Sequence, residues 1–330
     1  HLGHYAIWLQ SEHPDVYAAV VKHAREASRP VPQLNDLYAS AVPSELHNTR
    51  WLADRFGAYL DRRSDAQPFF AFIGFPDPHH PFTPSFDVVR DFEHIDVPTP
   101  YDPTGEAAKD TPLINAGTDL SSLTLEQRRT ITRYTYATIA QIDDAVGRII
   151  DHLKRAGQWE NILIVFTSDH GDFLGDHARL RKGYTPSDAL LHLPFVLRAP
   201  AANLPERVDT PMSNVDVLPT LTALAGVPGA AWTHGVDMVR VVRDQTDHVA
   251  LAYCANGDPN MINYTIYDQA YRYTLYPGTG YAELYDHRED PGETQNLVAA
   301  QPGRAAAMRR LIEARLLQHR NPLLARVSAW

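Results

Sequence analysis

The 330-residue sequence contains a single cysteine, Cys254. An intrachain disulfide and a multi-cysteine zinc site are therefore both excluded. No apolar run approaches the ~20 residues that a membrane-spanning helix needs. The stretch Ile162–Phe166 is strand-sized. Basic charge is not in excess: 30 Lys and Arg against 40 Asp and Glu leave a formal charge of −10. That argues against nucleic acid as the main partner, because phosphate binding needs a basic face. A Gly-rich phosphate loop of the P-loop type is absent, and so is a Gly-x-Ser-x-Gly nucleophile elbow. Neither a simple nucleotide-binding enzyme nor a simple esterase is indicated. Internal repeats and low-complexity tracts are also lacking. The sequence opens on His1 with no Met and no signal-like segment. The expectation is that a signal peptide was removed or that the chain is a piece of something longer.

What is present is ordinary for a globular protein: 44% hydrophobic and 21% charged residues. A disordered chain would be poorer in apolar residues and more highly charged. The length suits one large domain or two smaller ones. Sixteen histidines are many for this length. Histidine is the side chain best suited to metals and to proton transfer near neutral pH.

Residues 1–44 show little periodicity, and Pro30 and Pro32 interrupt them, which predicts short helices and loops. A helical period follows over Glu45–Arg62, with Leu52, Phe56 and Tyr59/Leu60 on one face. Pro68–Phe75 is a continuous apolar run that predicts a strand buried on both faces. It stops at Pro76-Asp-Pro-His-His-Pro81, which continues neither strand nor helix. Residues 84–120 read as a long surface loop. Thr124 and Gln127 form a capping-box pattern before a long helix. Its inner face is Ile131, Tyr134, Thr138, Ile142, Val146, Ile149/Ile150 and Leu153, with Gly157 as its stop. Asn161–Ser168 is a second buried-type strand and Pro194–Arg198 a third. Asp216–Gly226 reads as a helix. After about residue 245 the texture changes. His248–Cys254 predicts a strand, Ile262–Tyr267 and Ala270–Tyr276 a hairpin, and Arg304–Gln318 a terminal amphipathic helix. The fold class expected is α/β: a large, mostly parallel mixed sheet flanked by helices over 1–245, then a small antiparallel sheet with one helix over 246–330.

Three segments carry chemistry. The first is Thr167-Ser-Asp-His-Gly-Asp-Phe-Leu-Gly-Asp-His177, which begins where a strand ends. In open α/β sheets, ligands collect beyond the carboxyl ends of strands. A carboxylate oxygen on Asp169 and an imidazole nitrogen on His170 make a divalent-metal pair. Gly171 and Gly175 let backbone approach the site. The same residues would also serve as helix caps beside a solvated histidine. The second is the His79-His80 pair, either member of which is a candidate general acid. A proline-stiffened turn whose histidines merely face water is the competing account. The third is Arg181-Lys182-Gly183. A lysine beside a metal binds an anionic oxygen and offsets developing charge, although plain surface lysines are commoner. His177 and His80 are weaker candidates, for substrate contacts. Together these groups aim at an anionic substrate, with no nucleophile visible.

In this order the pieces resemble the sulfatases of the alkaline phosphatase superfamily. Phe-Thr-Ser-Asp-His-Gly-Asp at 166–172 looks like that family's metal-binding strand end. The spacing to Lys182-Gly183 fits, as does Leu193-Pro-Phe-Val-Leu-Arg-Ala-Pro200. Asp216–Gly226 looks like the family's Asp-Pro-Thr helix. Glu283-Leu-Tyr-Asp286, Asp290-Pro291 and Asn296-Leu297 look like its C-terminal signature. His1-Leu2-Gly3 resembles the end of a Gly-Lys-Trp-His-Leu-Gly motif cut after the tryptophan.

The resemblance implies hydrolysis of sulfate esters, with a small anionic ester as the substrate. It implies a divalent cation, calcium above magnesium, manganese or zinc, on Asp169, His170 and upstream carboxylates. It also implies an upstream formylglycine as nucleophile, Lys182 on the sulfate oxygens, His79 as the acid for the leaving alcohol, and His1 as the group that takes the hydrate proton. Two features depart from the family. Ser187-Asp188 and His192 stand where an aromatic–Glu pair and an Arg are common. The Asp-His pair, in place of Asp-Asn, resembles phosphonate monoester hydrolases and choline-sulfatase-like members. Phosphonate monoester or phosphodiester hydrolysis is therefore an alternative, and so is a truncated non-catalytic protein. Single-cysteine usage suits the cytoplasm and leaves a periplasmic or secreted location open. Oligomeric state is not encoded in any feature read here.

Overall fold

The computed structural model describes residues 3–64, 67–229, 233–255 and 257–318. The chain divides into two compact units, residues 1–99 with 122–161, and residues 100–121 with 162–330.

The first unit is helical. It holds α1 (His4–Glu12), α2 (Pro14–Glu26), α3 (Asn48–Arg62), the short α4 (Phe86–Val89) and the long α5 (Leu125–Arg155). The capping box forms as its residues dictate. Gln127 N–H donates to Thr124 Oγ1 at 3.2 Å, and Thr124 N–H donates to Gln127 Oε1 at 2.9 Å. Past the other end of α5, Gly157 adopts φ +66°. α5 buries Ile131, Tyr134, Thr138, Ile142 and Leu153 as the period predicts, and packs on α3.

α3 differs from expectation in which face it buries. Thr49, Ala53, Gly57 and Leu60 are buried, whereas Leu52 and Phe56 are half-buried and Tyr59 is exposed. Small residues let the two helices approach closely. A Cβ on Gly57 would lie 2.5 Å from the His152 ring of α5. Gln141 of α5 holds the following loop, accepting from Ser85 N–H at 3.1 Å and donating to Ser85 Oγ at 2.9 Å.

The run Phe69–Phe75 is extended but joins no strand ladder among the described residues. Phe70 is 85% and Phe72 87% exposed. A strand buried on both faces needs paired strands at its edges and layers over its faces, and this run pairs with no strand among the described residues.

The second unit holds β1 (Thr118–Asp119), β2 (Ile164–Thr167), β3 (Arg179–Leu180), α6 (Asp188–Leu191), β4 (Phe195–Arg198), α7 (Val217–Leu224) and α8 (Met238–Arg243). β5 (Ala250–Cys254), β6 (Asn263–Tyr267), β7 (Tyr271–Tyr276), β8 (Tyr281–Asp286) and α9 (Pro302–Gln318) complete it. β2 and β4 pair antiparallel, with Ile164 opposite Arg198 and Thr167 opposite Phe195. β5 to β8 form an antiparallel meander in sequence order. Its hairpin turns at Asp268, whose Oδ1 accepts from the N–H groups of Ala270 and Tyr271, each at 2.8 Å.

One face of the meander presents Ile266, Tyr273 and Leu284 to Ala305, Met308 and Ile312 of α9. This is the small sheet with one helix that the sequence predicts. Named strands pair only antiparallel among the described residues. Parallel geometry appears at isolated bridges in the first unit, Leu37–Phe82 and Ser40–Ser85.

Candidate active site

β2 delivers the chain into the turn Ser168–Leu174. The Asp172 carboxylate organises that turn: its Oδ1 accepts from Leu174 N–H at 3.0 Å and from Arg181 N–H at 2.8 Å. One carboxylate oxygen thus ties the metal-type turn to the segment bearing Lys182. Gly171 is required here, since a Cβ would lie 2.0 Å from the Ala189 carbonyl.

His170 is oriented by its backbone. Its Nδ1 lies 2.7 Å from the Gly171 carbonyl. A carbonyl only accepts, so the proton sits on Nδ1 and Nε2 keeps its lone pair. Metal-ligating histidines are characteristically held in this way. The ammonium of Lys182 lies 2.7 Å from His170 Nε2 and donates to it. Asp169 Oδ2 is 3.8 Å from the same nitrogen, and its side chain is 87% exposed. Two donors that far apart suit one cation at about 2.0–2.5 Å from each. A carboxylate oxygen and an imidazole nitrogen form a donor set that fits a divalent ion once the Lys182 ammonium, which here occupies the Nε2 lone pair, turns to an anionic ligand. Asp169, His170 and Lys182 are brought together as the sequence predicts.

His177 is buried at φ +53°, with Nδ1 3.4 Å from Asp102 Oδ2. Its backbone N–H donates to the Tyr101 carbonyl at 2.9 Å, and Tyr101 N–H donates to Asp176 Oδ1 at 2.7 Å. In this structure His177 anchors the 100–105 loop. Burial pushes the Asp176 carboxyl up to about 6, against the Tyr101 hydrogen bond and the nearby His177.

His79 and His80 belong to the first unit, between cis peptides at Asp77-Pro78 and His80-Pro81. Their rings stack at 4.0 Å, and His79 Nδ1 lies 2.6 Å from the His80 carbonyl. By the same logic His79 Nε2 keeps a free lone pair on an exposed ring. In the same turn the Asp77 side chain is largely shielded from solvent, with Oδ2 3.8 Å from His47 Nδ1. Burial pushes the Asp77 carboxyl up to about 6 and the His47 imidazole down to about 4. His1 lies outside the described residues.

A second cluster was not anticipated. Arg272 of β7, 1% exposed, pairs with Glu293 and lies 3.4 Å from Glu283 of β8. Glu293 Oε2 accepts from Ser187 Oγ and from Asp188 N–H, each at 2.9 Å. Asp188 lies 3.3 Å from His192 Nδ1 and 3.8 Å from His287 Nδ1. Asp188, His287 and Glu293 are close enough to share a cation. Arg272 already supplies the positive charge there, so the group reads as an ion-pair network. Ser187-Asp188 and His192, the departures from the family pattern, thereby acquire partners. The only sequence signal was their position in the Lys182–Pro194 loop and in the C-terminal signature. His248, which has no motif context, likewise proves to be a buried partner of Asp216 at 3.2 Å.

A solved phosphonate monoester hydrolase of Agrobacterium radiobacter superposes with a TM-score of 0.77, over 96% of this chain and 69% of that one, at 24% identity. That likeness shows the α/β fold. The family model for sulfatases matches residues 16–227, and the model for the C-terminal part of N-sulphoglucosamine sulphohydrolase matches 175–321. The chain belongs to the sulfatase family. Among curated relatives, an arylsulfatase of Clostridium perfringens is 27% identical over 268 residues, covering 77% of this chain and 54% of the relative. A choline-sulfatase of Rhizobium meliloti is 30% identical over 261 residues, covering 75% and 50%. The chain spans about half the length of the curated relatives it matches. Among the described residues, no helix is long and apolar enough to cross a membrane.

Proposed function

We propose that the protein of which this chain is part hydrolyses sulfate esters. The observation that carries the reading is the His170–Lys182 contact at 2.7 Å beside the exposed Asp169, in a member of the sulfatase family. Asp169 and His170 would hold a divalent cation, calcium by family resemblance, together with upstream carboxylates. When bound, such a cation would supply Lewis-acid stabilisation of the sulfate oxygens.

This chain's own residues do the following. The Gly171 carbonyl fixes the His170 tautomer so that Nε2 faces the site. Lys182 binds a sulfate oxygen and offsets charge that grows as the S–O bond breaks. His79 protonates the leaving alcohol in its doubly protonated form, giving up the proton on Nε2 while Nδ1–H stays on the His80 carbonyl. His1 takes the hydrate proton that releases sulfate. The nucleophile, by the same resemblance, is a formylglycine upstream of His1. The test is turnover of 4-nitrophenyl sulfate by the intact enzyme and by its Lys182→Ala and His79→Ala variants. Each variant is expected to lose at least about a hundredfold. Near-normal rates in both would overturn the assignment.

A second reading is hydrolysis of phosphonate monoesters or phosphodiesters at the same site. It is favoured by the Asp169-His170 pair and by the fold likeness to a phosphonate monoester hydrolase. Phosphonate turnover exceeding sulfate turnover would select it.

A further inference from the structure

Beside Lys182 the second unit carries a concavity of ≈ 140 Å³. His170 and Lys182 stand at its charged end, and the rest of its wall comes from the Tyr184–Leu191 segment and from β5 and β6. Leu190 is buried in the wall, and Tyr184 and Tyr253 are 56% and 58% exposed. Cys254 lies in the same wall.

The polar side chains of that wall are largely committed elsewhere. The Asn263 amide donates to the carbonyls of Tyr184 and Met261 at 2.9 and 3.0 Å. Thr185 Oγ1 donates to the Pro112 carbonyl at 3.3 Å. The polar atoms left over, apart from His170 and Lys182 at the charged end, are the Asn263 side-chain oxygen, two tyrosine hydroxyls on exposed rings and one thiol. A cavity of about 150 Å³ lined by apolar side chains holds a benzene molecule. The size and the lining therefore match one compact ring, with the anionic end of its ester directed to Lys182. A charged or heavily hydroxylated sugar would find few free partners and would lose hydration there.

We propose that this concavity is the subsite for the organic group of the ester. It accepts a single aromatic or similarly compact apolar ring, with Tyr253 and Tyr184 as its specificity-determining walls. The proposal rests on the reading that Lys182 binds the anionic end. Asn263, only 1% exposed, is a positioning residue: it pins the Tyr184 carbonyl to β6 and so sets the width of the opening.

The experiment compares benzenesulfonate with methanesulfonate, which share an anionic end and have no ester bond to break. Affinity is read by calorimetry on the 330-residue chain. Location is read from the alkylation rate of Cys254, the one thiol present. Benzenesulfonate is expected to bind about three- to tenfold tighter, from ring packing against aromatic walls. It is also expected to slow Cys254 alkylation. Tyr253→Ala should erase that difference, and Tyr253→Phe should keep it. Equal affinity for the two sulfonates, or an undiminished preference in Tyr253→Ala, would overturn the ring subsite. If Lys182→Ala left both affinities unchanged while the ring preference persisted, the anion reading would fall and the ring subsite would stand.

Discussion

Two clusters in the second unit use the same chemical parts to opposite ends. Around Arg272, a guanidinium, two glutamates and a hydroxyl partner are all buried and satisfy one another. Around His170, an imidazole and an ammonium meet beside a carboxylate that is almost wholly in water. The first is a strut that ties β7 and β8 to the start of α6. The second leaves the Asp169 carboxylate in water and sets His170 and Lys182 at the end of a cavity. Charged groups that have spent their hydrogen bonds on each other stabilise one conformation. Charged groups left under-coordinated at a strand end are available for a ligand.

The difference is sharpest in stability. Arg272→Met leaves Glu283 and Glu293 buried without their cation. Equilibrium denaturation should show a loss of about 3–5 kcal/mol, the usual result of breaking a buried pair on one side. Lys182→Ala, at a more open position, should stay within about 0.5 kcal/mol. Similar losses in the two variants would erase the distinction. A smaller effect is expected from Ser187→Ala, which removes the hydroxyl donated to Glu293 and should cost about 1 kcal/mol.

Proton binding gives the subtlest contrast. The hydrogen bond that His192 donates to Asp188 raises the His192 pKa above its ordinary value, against partial burial. Burial works to raise Asp188, but the His192 hydrogen bond and the charges of His192, His287 and Arg272 outweigh it and hold the carboxyl low. A raised imidazole contributes stability that is lost as pH climbs through its folded value. A lowered carboxyl contributes stability that is lost as pH falls through its own. The pair therefore contributes fully only between the ordinary carboxylate and the ordinary imidazole values, and the contribution fades outside that window toward the two shifted ones. Histidine titration by NMR should show His192 ionising above the usual imidazole range, and moving back toward it in Asp188→Asn. An unmoved His192 would contradict the pairing.

Much of this was legible in the residues, for identifiable reasons. α5 announced itself because a capping box and a long apolar period act locally. The β6–β7 hairpin was readable because Asp268 makes its turn with its own near neighbours. Asp169, His170 and Lys182 were readable because one short loop carries all three.

Longer-range features were not. The run at 69–75 has strand character, but a strand is completed only by its partners. The buried face of α3 was misjudged because close helix approach favours Ala53 and Gly57 over larger neighbours. β8 was recognised as a signature but not as a strand, since the buried Glu283 breaks its apolar alternation. The Arg272–Glu283–Glu293 network depends on cross-strand register, with Arg272 opposite Tyr285, and no local pattern encodes that.

The central claim is that the ligand site is the exposed cluster and not the buried one, although Asp188, His287 and Glu293 also lie within reach of a shared ion. The direct test is calcium titration of the intact protein by calorimetry, in wild type, Asp169→Asn and Asp188→Asn. The account predicts that Asp169→Asn weakens calcium binding by at least tenfold, an effect on the order of 1.4 kcal/mol, and that Asp188→Asn leaves it unchanged. Loss of binding in Asp188→Asn with Asp169→Asn unaffected would contradict it.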